Sequence, residues 1–184
     1  EMSDRLRLRP LDMRRYGDEI RLLTEIFNDA WQDNWGFVPM TTAEVDRMAR
    51  DMRPLIDPNL VWFLELDGNA FAFAVCLPNL NEAIRDLGGR LLPFGWAKLL
   101  WRLKVRGLHT ARVPLMGVRK SIPTLVRGIA PFLVVDAIRR ETRRCGMSEV
   151  ELSWILEDNA PVIGMVEKVG GQRYKTYRLY RKAL

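Results

Sequence analysis

Residues 113–171 read VPLMGVRKSIPTLVRGIAPFLVVDAIRRETRRCGMSEVELSWILEDNAPVIGMVEKVGG. The apolar run ending in Gly117-Val118 reads as a buried strand, and a basic loop follows it. The pattern then predicts a helix over Ile129–Arg144, running out at Gly146. Glu149–Leu156 alternates as a second strand, with Val150, Leu152 and Trp154 on one face. Asn159-Ala160-Pro161 opens a further helix, with Val162, Met165, Val166 and Val169 as its buried stripe and Gly170-Gly171 as its stop. Arg127-Gly128-Ile129-Ala130 stands where the loop turns into the first of these helices. A helix start presents unpaired N–H groups and the positive end of a dipole, and glycine lets phosphate oxygens reach the backbone. Gly128, Ile129 and Ala130 are therefore expected to supply donors, and Arg127 charge. Pro131 suits a first helical turn but donates nothing.

The rest of the chain fits around this segment. Arg5–Leu11 alternates charge with leucine, as a half-buried strand does. Ile20, Leu23, Phe27, Ala30 and Trp31 recur at helical spacing between Asp18 and Trp35. Thr41 or Thr42 caps a second helix that ends before Pro54. Leu60–Leu66 and Ala70–Leu77 are apolar runs around Asp67-Gly68-Asn69, a strong hairpin signal, and the second run has no polar face. After the insertion at about 79–106 come a strand over Ala111–Val118 and the elements above, and Gln172–Lys182 closes the chain as an expected strand. The order is that of an α/β fold: a mixed, mostly antiparallel sheet with flanking helices.

With 184 residues, 48% hydrophobic and 28% charged, the chain is expected to form one domain over 1–184. The net charge of +6 does not point to nucleic acid, because Lys and Arg are spread along the chain without a recognition-helix or RNA-binding signature. Positive charge serves a phosphate-bearing cofactor equally well. Cys76 and Cys145 read as reduced and structural, His109 is the lone histidine, and no metal-ligand spacing occurs. With no secretory signal at its start, the chain is expected in the cytoplasm.

Gly117-Val118, Leu125–Ala130, Asn159 and Glu167-Lys168-Val169-Gly170 together resemble the GCN5-related N-acetyltransferase (GNAT) superfamily. The likeness is close over about the last 75 residues and holds only in outline over about the first 110. Leu125 departs from the usual Gln or Arg, and Val166 from a Tyr that protonates the leaving thiol. Asn28–Trp31, Asn34–Pro39 and Ser153–Asn159 are similar to the C-terminal half of longer bacterial acyltransferase-like proteins. The resemblance implies the acyl-CoA N-acyltransferase fold, with acetyl-CoA or a longer acyl-CoA as donor and a small-molecule amine as acceptor. It places the cofactor arm along Met116, Gly117 and Val118, where two strands splay, and the Val118 N–H on the thioester carbonyl. Arg127, Gly128, Ile129 and Ala130 would hold the pyrophosphate, and Asn159 would touch the arm.

Gly117 suits a strand bulge there. Asn28, Trp31, Asn34, Trp35 and Phe37 combine aromatic walls with polar groups, as an acceptor pocket does. Glu157 follows the second strand and can take a proton from an ammonium nucleophile if partly desolvated. In the insertion, Lys98, Arg102 and Arg106 recur every four residues among Phe94, Trp96, Leu99, Leu100, Trp101 and Leu103. That is the composition of an interfacial helix, of a lid over a greasy channel, or of an amphipathic helix on the protein's own core. Three functions follow: an N-acyltransferase with a lipid-related substrate, a catalytically weak binding or regulatory domain of the same fold, or a membrane- or partner-binding module.

Overall fold

The computed structural model describes residues 5–34, 36–178, 180 and 182. Five strands form one sheet in sequential order: β1 Leu6–Pro10, β2 Val61–Leu66, β3 Asn69–Pro78, β4 Thr110–Val118 and β5 Glu149–Leu152. The first four pair antiparallel, and β4 pairs with β5 in parallel. The β2–β3 hairpin turns on Asp67 and Gly68, whose φ values of 51° and 80° are the two left-handed positions of a type I′ turn. Two compact units result, Glu1–Ser153 and Trp154–Leu184.

In the first unit each sheet face carries its own core. Helices α1 (Tyr16–Trp31) and α2 (Thr42–Met52) connect β1 to β2. Tyr16, Ile20, Leu23, Ile26 and Val45 from them pack on Val61, Phe63, Phe73 and Val75. Thr41 caps α2 through a full capping box with Glu44. The opposite face takes α5 (Thr124–Arg144), whose Val126, Ala130, Val134 and Ile138 meet Leu64, Ala72, Ala74 and Val113. That stripe begins at Val126, so the helix starts five residues before the expected Ile129, and Pro131 lies in its interior rather than its first turn. Among the described residues one charged group is fully buried: Glu19, held by Arg9 Nη1 at 2.5 Å and Arg15 Nη2 at 3.1 Å, while Arg9 Nε reaches Glu65 at 2.5 Å.

Between β3 and β4 lie two short helices, α3 (Leu80–Ile84) and α4 (Gly95–Trp101), the second extended by a π turn over Arg102–Arg106. Neither α4 nor the π turn has a buried residue, so this segment does not pack into the core. It is tied down by charge instead. Asp86 binds Lys98 Nζ at 2.6 Å and Arg102 Nη1 at 2.5 Å, and Arg102 also donates to the Ala83 carbonyl. Both cysteines are free, Cys76 buried in β3 and Cys145 exposed.

The second unit contains α6 (Ala160–Lys168). Of its expected stripe only Met165 is buried, and Val169 is exposed. β5 stops at Leu152, and Trp154, 72% exposed, lies outside it. The described residues of Gln172–Lys182 form no strand. Tyr174, Tyr177 and Tyr180 recur every three residues, so a two-residue strand period would scatter them over both faces.

Candidate active site

β4 changes phase halfway along. Val75 pairs with Leu115 and Leu77 with Arg112, so Val113 and Pro114 together oppose Cys76 in a bulge. Arg119 N–H donates to the Phe71 carbonyl at 2.8 Å. Alternation along the strand then turns the backbone groups of Met116 and Val118 to the edge away from β3. On that edge β5 pairs only as far as Val113↔Leu152. Pro114, next in line, has no N–H to continue the ladder. Among the described residues the result is a free edge over Pro114–Val118, carrying the N–H groups of Met116 and Val118. The Met116 carbonyl on it is already taken by the Trp31 indole N–H at 3.0 Å.

Gly117 is not the bulge residue. It pairs regularly with Phe73, and a Cβ there would stand 2.7 Å from Phe73 Cε1 and 3.3 Å from Ala30 Cβ. The glycine is required first by the ring of Phe73, which lies over it from the neighbouring strand, and then by Ala30 of α1.

The free edge runs into the start of α5 through Arg119–Pro123. Pro123 sits at the N-cap without a side-chain cap, and the first turn holds no acidic residue. Arg127 N–H closes the first helical bond, to the Pro123 carbonyl. The unpaired donors are therefore those of Thr124, Leu125 and Val126, not the expected Gly128, Ile129 and Ala130, which lie inside the helix. Gly128 is exposed, with open space where a Cβ would be.

The loop is held by a row of carboxylates, a contact that none of the sequence expectations includes. Glu25 and Asp29 near the end of α1 and Asp33 in the turn just past it recur every four residues. Glu25 Oε2 lies 3.3 Å from Arg119, Asp29 accepts the Lys120 N–H at 2.7 Å, and Asp33 pairs with the Lys120 ammonium. Arg127 donates to the Lys120 carbonyl at 3.2 Å and makes no ion pair among the described residues. The readable signal was the four-residue spacing of acids facing Arg119-Lys120; for the edge it was a proline within an apolar strand.

Beside the Trp31–Met116 bond, Phe27 stands between Trp31 and Phe37, with ring centroids 5.2 and 5.5 Å away. The Asn28 side-chain oxygen is buried without a hydrogen-bond partner among the described residues. Asn34 shapes the following turn, its N–H bonding the Trp31 carbonyl and its carbonyl accepting from Phe37. Trp35 lies outside the described residues. In the second unit, Asn159 Oδ1 accepts the Val162 N–H at 3.3 Å and caps α6. Glu157 is 79% exposed and 3.8 Å from Arg178 Nη1, so the desolvation that a carboxylate base needs is absent there.

No family model matches the chain. Among solved structures it superposes on an aminoglycoside acetyltransferase from an uncultured soil metagenomic sample, in complex with sisomicin. The TM-score is 0.62 at 10% identity, over 100% of this chain and 99% of that one. The aminoglycoside N-acetyltransferase AAC(6')-Iy in complex with CoA superposes with a TM-score of 0.56 at 14% identity, over 97% and 95%. The fold is that of the GCN5-related N-acetyltransferases.

In sequence, this GNAT-fold chain is 55% identical over 178 residues, 96% of its length, to a bacterial ceramide synthase of Caulobacter vibrioides, of which they are 46%. It is 44% identical over 185 residues to protein YghO of Escherichia coli, covering 100% of the chain and 47% of that protein. The chain thus spans about half the length of the curated relatives it matches. The residues present fit a CoA thioester in three respects. An uncapped helix start with unpaired N–H groups adjoins Arg127, Gly128 leaves open space beside it, and a strand edge with free donors leads up to it.

Proposed function

We propose that this chain transfers an acyl group from a CoA or carrier-protein thioester to the amine of a lipid-like acceptor, forming an amide. The free β4 edge over Met116–Val118, running into the uncapped start of α5, carries the reading. A bound acyl thioester would supply the activated carbonyl. Thr124, Leu125 and Val126 N–H groups with Arg127 form the anion-holding end, Gly128 leaving room beside them. Val118 N–H is the donor for an oxygen that gains charge as the amine nitrogen bonds to carbon; such donors contribute about 2.7–4 kcal/mol in other acyl-transfer sites. Trp31 keeps Met116 and Val118 in place by occupying the intervening carbonyl. Where the superfamily resemblance puts a proton donor, Val166 offers only hydrocarbon, so as the C–S bond breaks the departing sulfur takes a proton from solvent, and the nitrogen gives its own proton up to solvent. The lipid-like acceptor is supported by the 55%-identical protein named for ceramide synthesis, since a ceramide is the amide of a long-chain amine.

Thermal unfolding with acetyl-CoA, a long-chain acyl-CoA and free CoA tests the donor. Ligand at a hundredfold excess over Kd stabilises by about 2.7 kcal/mol. For a unit of this size that raises Tm by roughly 5–10 °C. Gly128→Glu should abolish the shift by placing a carboxylate beside the anion-holding donors. No shift with any thioester would defeat the reading. Mass spectrometry of reactions with long-chain amines then tests transfer. A chain that binds thioester without forming amide is a regulatory binding domain, the second reading, which Val166 and the exposed Glu157 favour.

A further inference from the structure

The insertion between β3 and β4 has no role in the acyl-transfer reading above. Residues 79–106 hold six basic and two acidic residues, most of the chain's net charge of +6. Leu92, Phe94 and Val105 are more than 70% exposed, and Trp96, Leu100 and Trp101 about half exposed. Surface aromatics and leucines at this density need a covering partner. The rod over residues 95–106 is about 18 Å long at 1.5 Å per residue, well short of a bilayer core. No helix among the described residues is long and apolar enough to cross a membrane.

A cleft of about 460 Å³ lies at the C-terminal end of the same rod, lined by Glu82, Arg85, Asp86, Arg102 and Arg106. Both of its carboxylates are engaged. Glu82 accepts the N–H groups of His109 and Thr110 and the Thr110 hydroxyl, and Asp86 binds Lys98 and Arg102. Arg85 and Arg106 make no ion pair among the described residues, and Arg102 Nε is buried without a partner. The cleft therefore presents unbalanced positive charge beside an apolar, Trp-bearing rod.

We infer that this insertion docks on an anionic lipid surface. The exposed Trp, Phe and Leu side chains enter the headgroup boundary, Arg85 and Arg106 take phosphate oxygens of a lipid headgroup, and Lys104 adds charge toward the surface. Charge complementarity selects this occupant over a second copy of the chain, which would bring the same positive cleft against itself. The inference goes beyond the acyl-transfer reading and does not rest on it: a chain that docks but binds no thioester leaves it standing.

The test is co-sedimentation of the 184-residue chain with phosphatidylcholine vesicles, and with vesicles also containing phosphatidylglycerol, at low and high salt. Binding should require phosphatidylglycerol and fall with salt. Each basic residue near an anionic surface contributes about fivefold, so Lys104→Ala/Arg106→Ala should weaken partition about 25-fold. Trp96→Ala/Trp101→Ala should weaken it at every phosphatidylglycerol content. Both variants should keep the wild-type Tm, because no residue of the rod is buried. Binding indifferent to the charge substitutions overturns the inference. So does absence of binding, or sedimentation velocity showing a dimer that the tryptophan substitutions dissolve.

Discussion

Gly117 offers a direct test of how the site is built. In Gly117→Ala the new methyl stands 2.7 Å from Phe73 Cε1 and 3.3 Å from Ala30 Cβ, and Phe73 is fully buried. Real Cβ contacts do not come that close, so β4 must move away from α1 or Phe73 must leave its rotamer. Overpacking of this kind costs about 1–3 kcal/mol. Replacing glycine returns about 0.4–1 kcal/mol by restricting the unfolded chain. The net loss is about 1–2 kcal/mol, or roughly 2–8 °C in Tm. The same movement lengthens the Trp31–Met116 bond and displaces the Val118 N–H, so thioester affinity should fall along with stability. Calorimetry of wild type, Gly117→Ala, Phe73→Leu and the double variant closes a thermodynamic cycle. Leucine has no atom at Cε1, so the double variant should be no less stable than Phe73→Leu alone. A Gly117→Ala chain with unchanged Tm, or a loss that Phe73→Leu does not relieve, would refute the packing argument.

Arg9→Ala should cost about 3–5 kcal/mol, read from the urea midpoint, because it removes a partner at 2.5 Å from the fully buried Glu19 carboxylate. Hydrogen bonds from Arg102 and then Lys98 hold the Asp86 carboxyl well below the usual carboxylate range. A depressed folded-state value contributes order that is complete above the ordinary aspartate value and lost as pH falls through the depressed one. Hydrogen-exchange protection of residues 95–106, relative to the intrinsic rate at each pH, should accordingly fall in strong acid, and Asp86→Asn should show the lowered protection already at neutral pH. Glu157→Gln should change kcat for amide formation by less than about threefold, since an exposed carboxylate gains little as a base. A hundredfold fall in kcat at constant KM would show that Glu157 is desolvated in the working complex.

Most of the sheet could be read from residue patterns, because each strand there carries one strong local cue. Asp67-Gly68 has the two left-handed positions of a tight hairpin, and Phe71–Leu77 has no polar face to turn toward water. The α5 start was misplaced because Gly128 and Pro131 both argue locally against helix, while Val126, four residues ahead of Ala130, belongs to the core stripe. Tertiary packing overrides those local preferences. Glu149–Leu156 alternates to its end, yet pairing stops at Leu152 because the partner opposite is a proline, which a reading of β5 alone does not consult. Within the site, Val118 and Arg127 are singled out by the superfamily resemblance; the first ends β4 and the second closes the first turn of α5. The clamp of Glu25, Asp29 and Asp33 on Arg119-Lys120 joins segments about ninety residues apart, so the four-residue spacing of the acids marks one side of it without naming the other.

An interrupted ladder is ordinarily an invitation to aggregate, since bare N–H and C=O groups template the addition of foreign strands. Pro114 and Trp31 make this one a poor template. The proline deletes a donor at the end where a strand would begin to zip, and the indole fills the Met116 acceptor that it would need next. A flexible arm bearing only one or two polar groups could still use the donors that remain. The same two side chains that keep the slot open thus also filter what can enter it, rejecting polypeptide and admitting slender ligands.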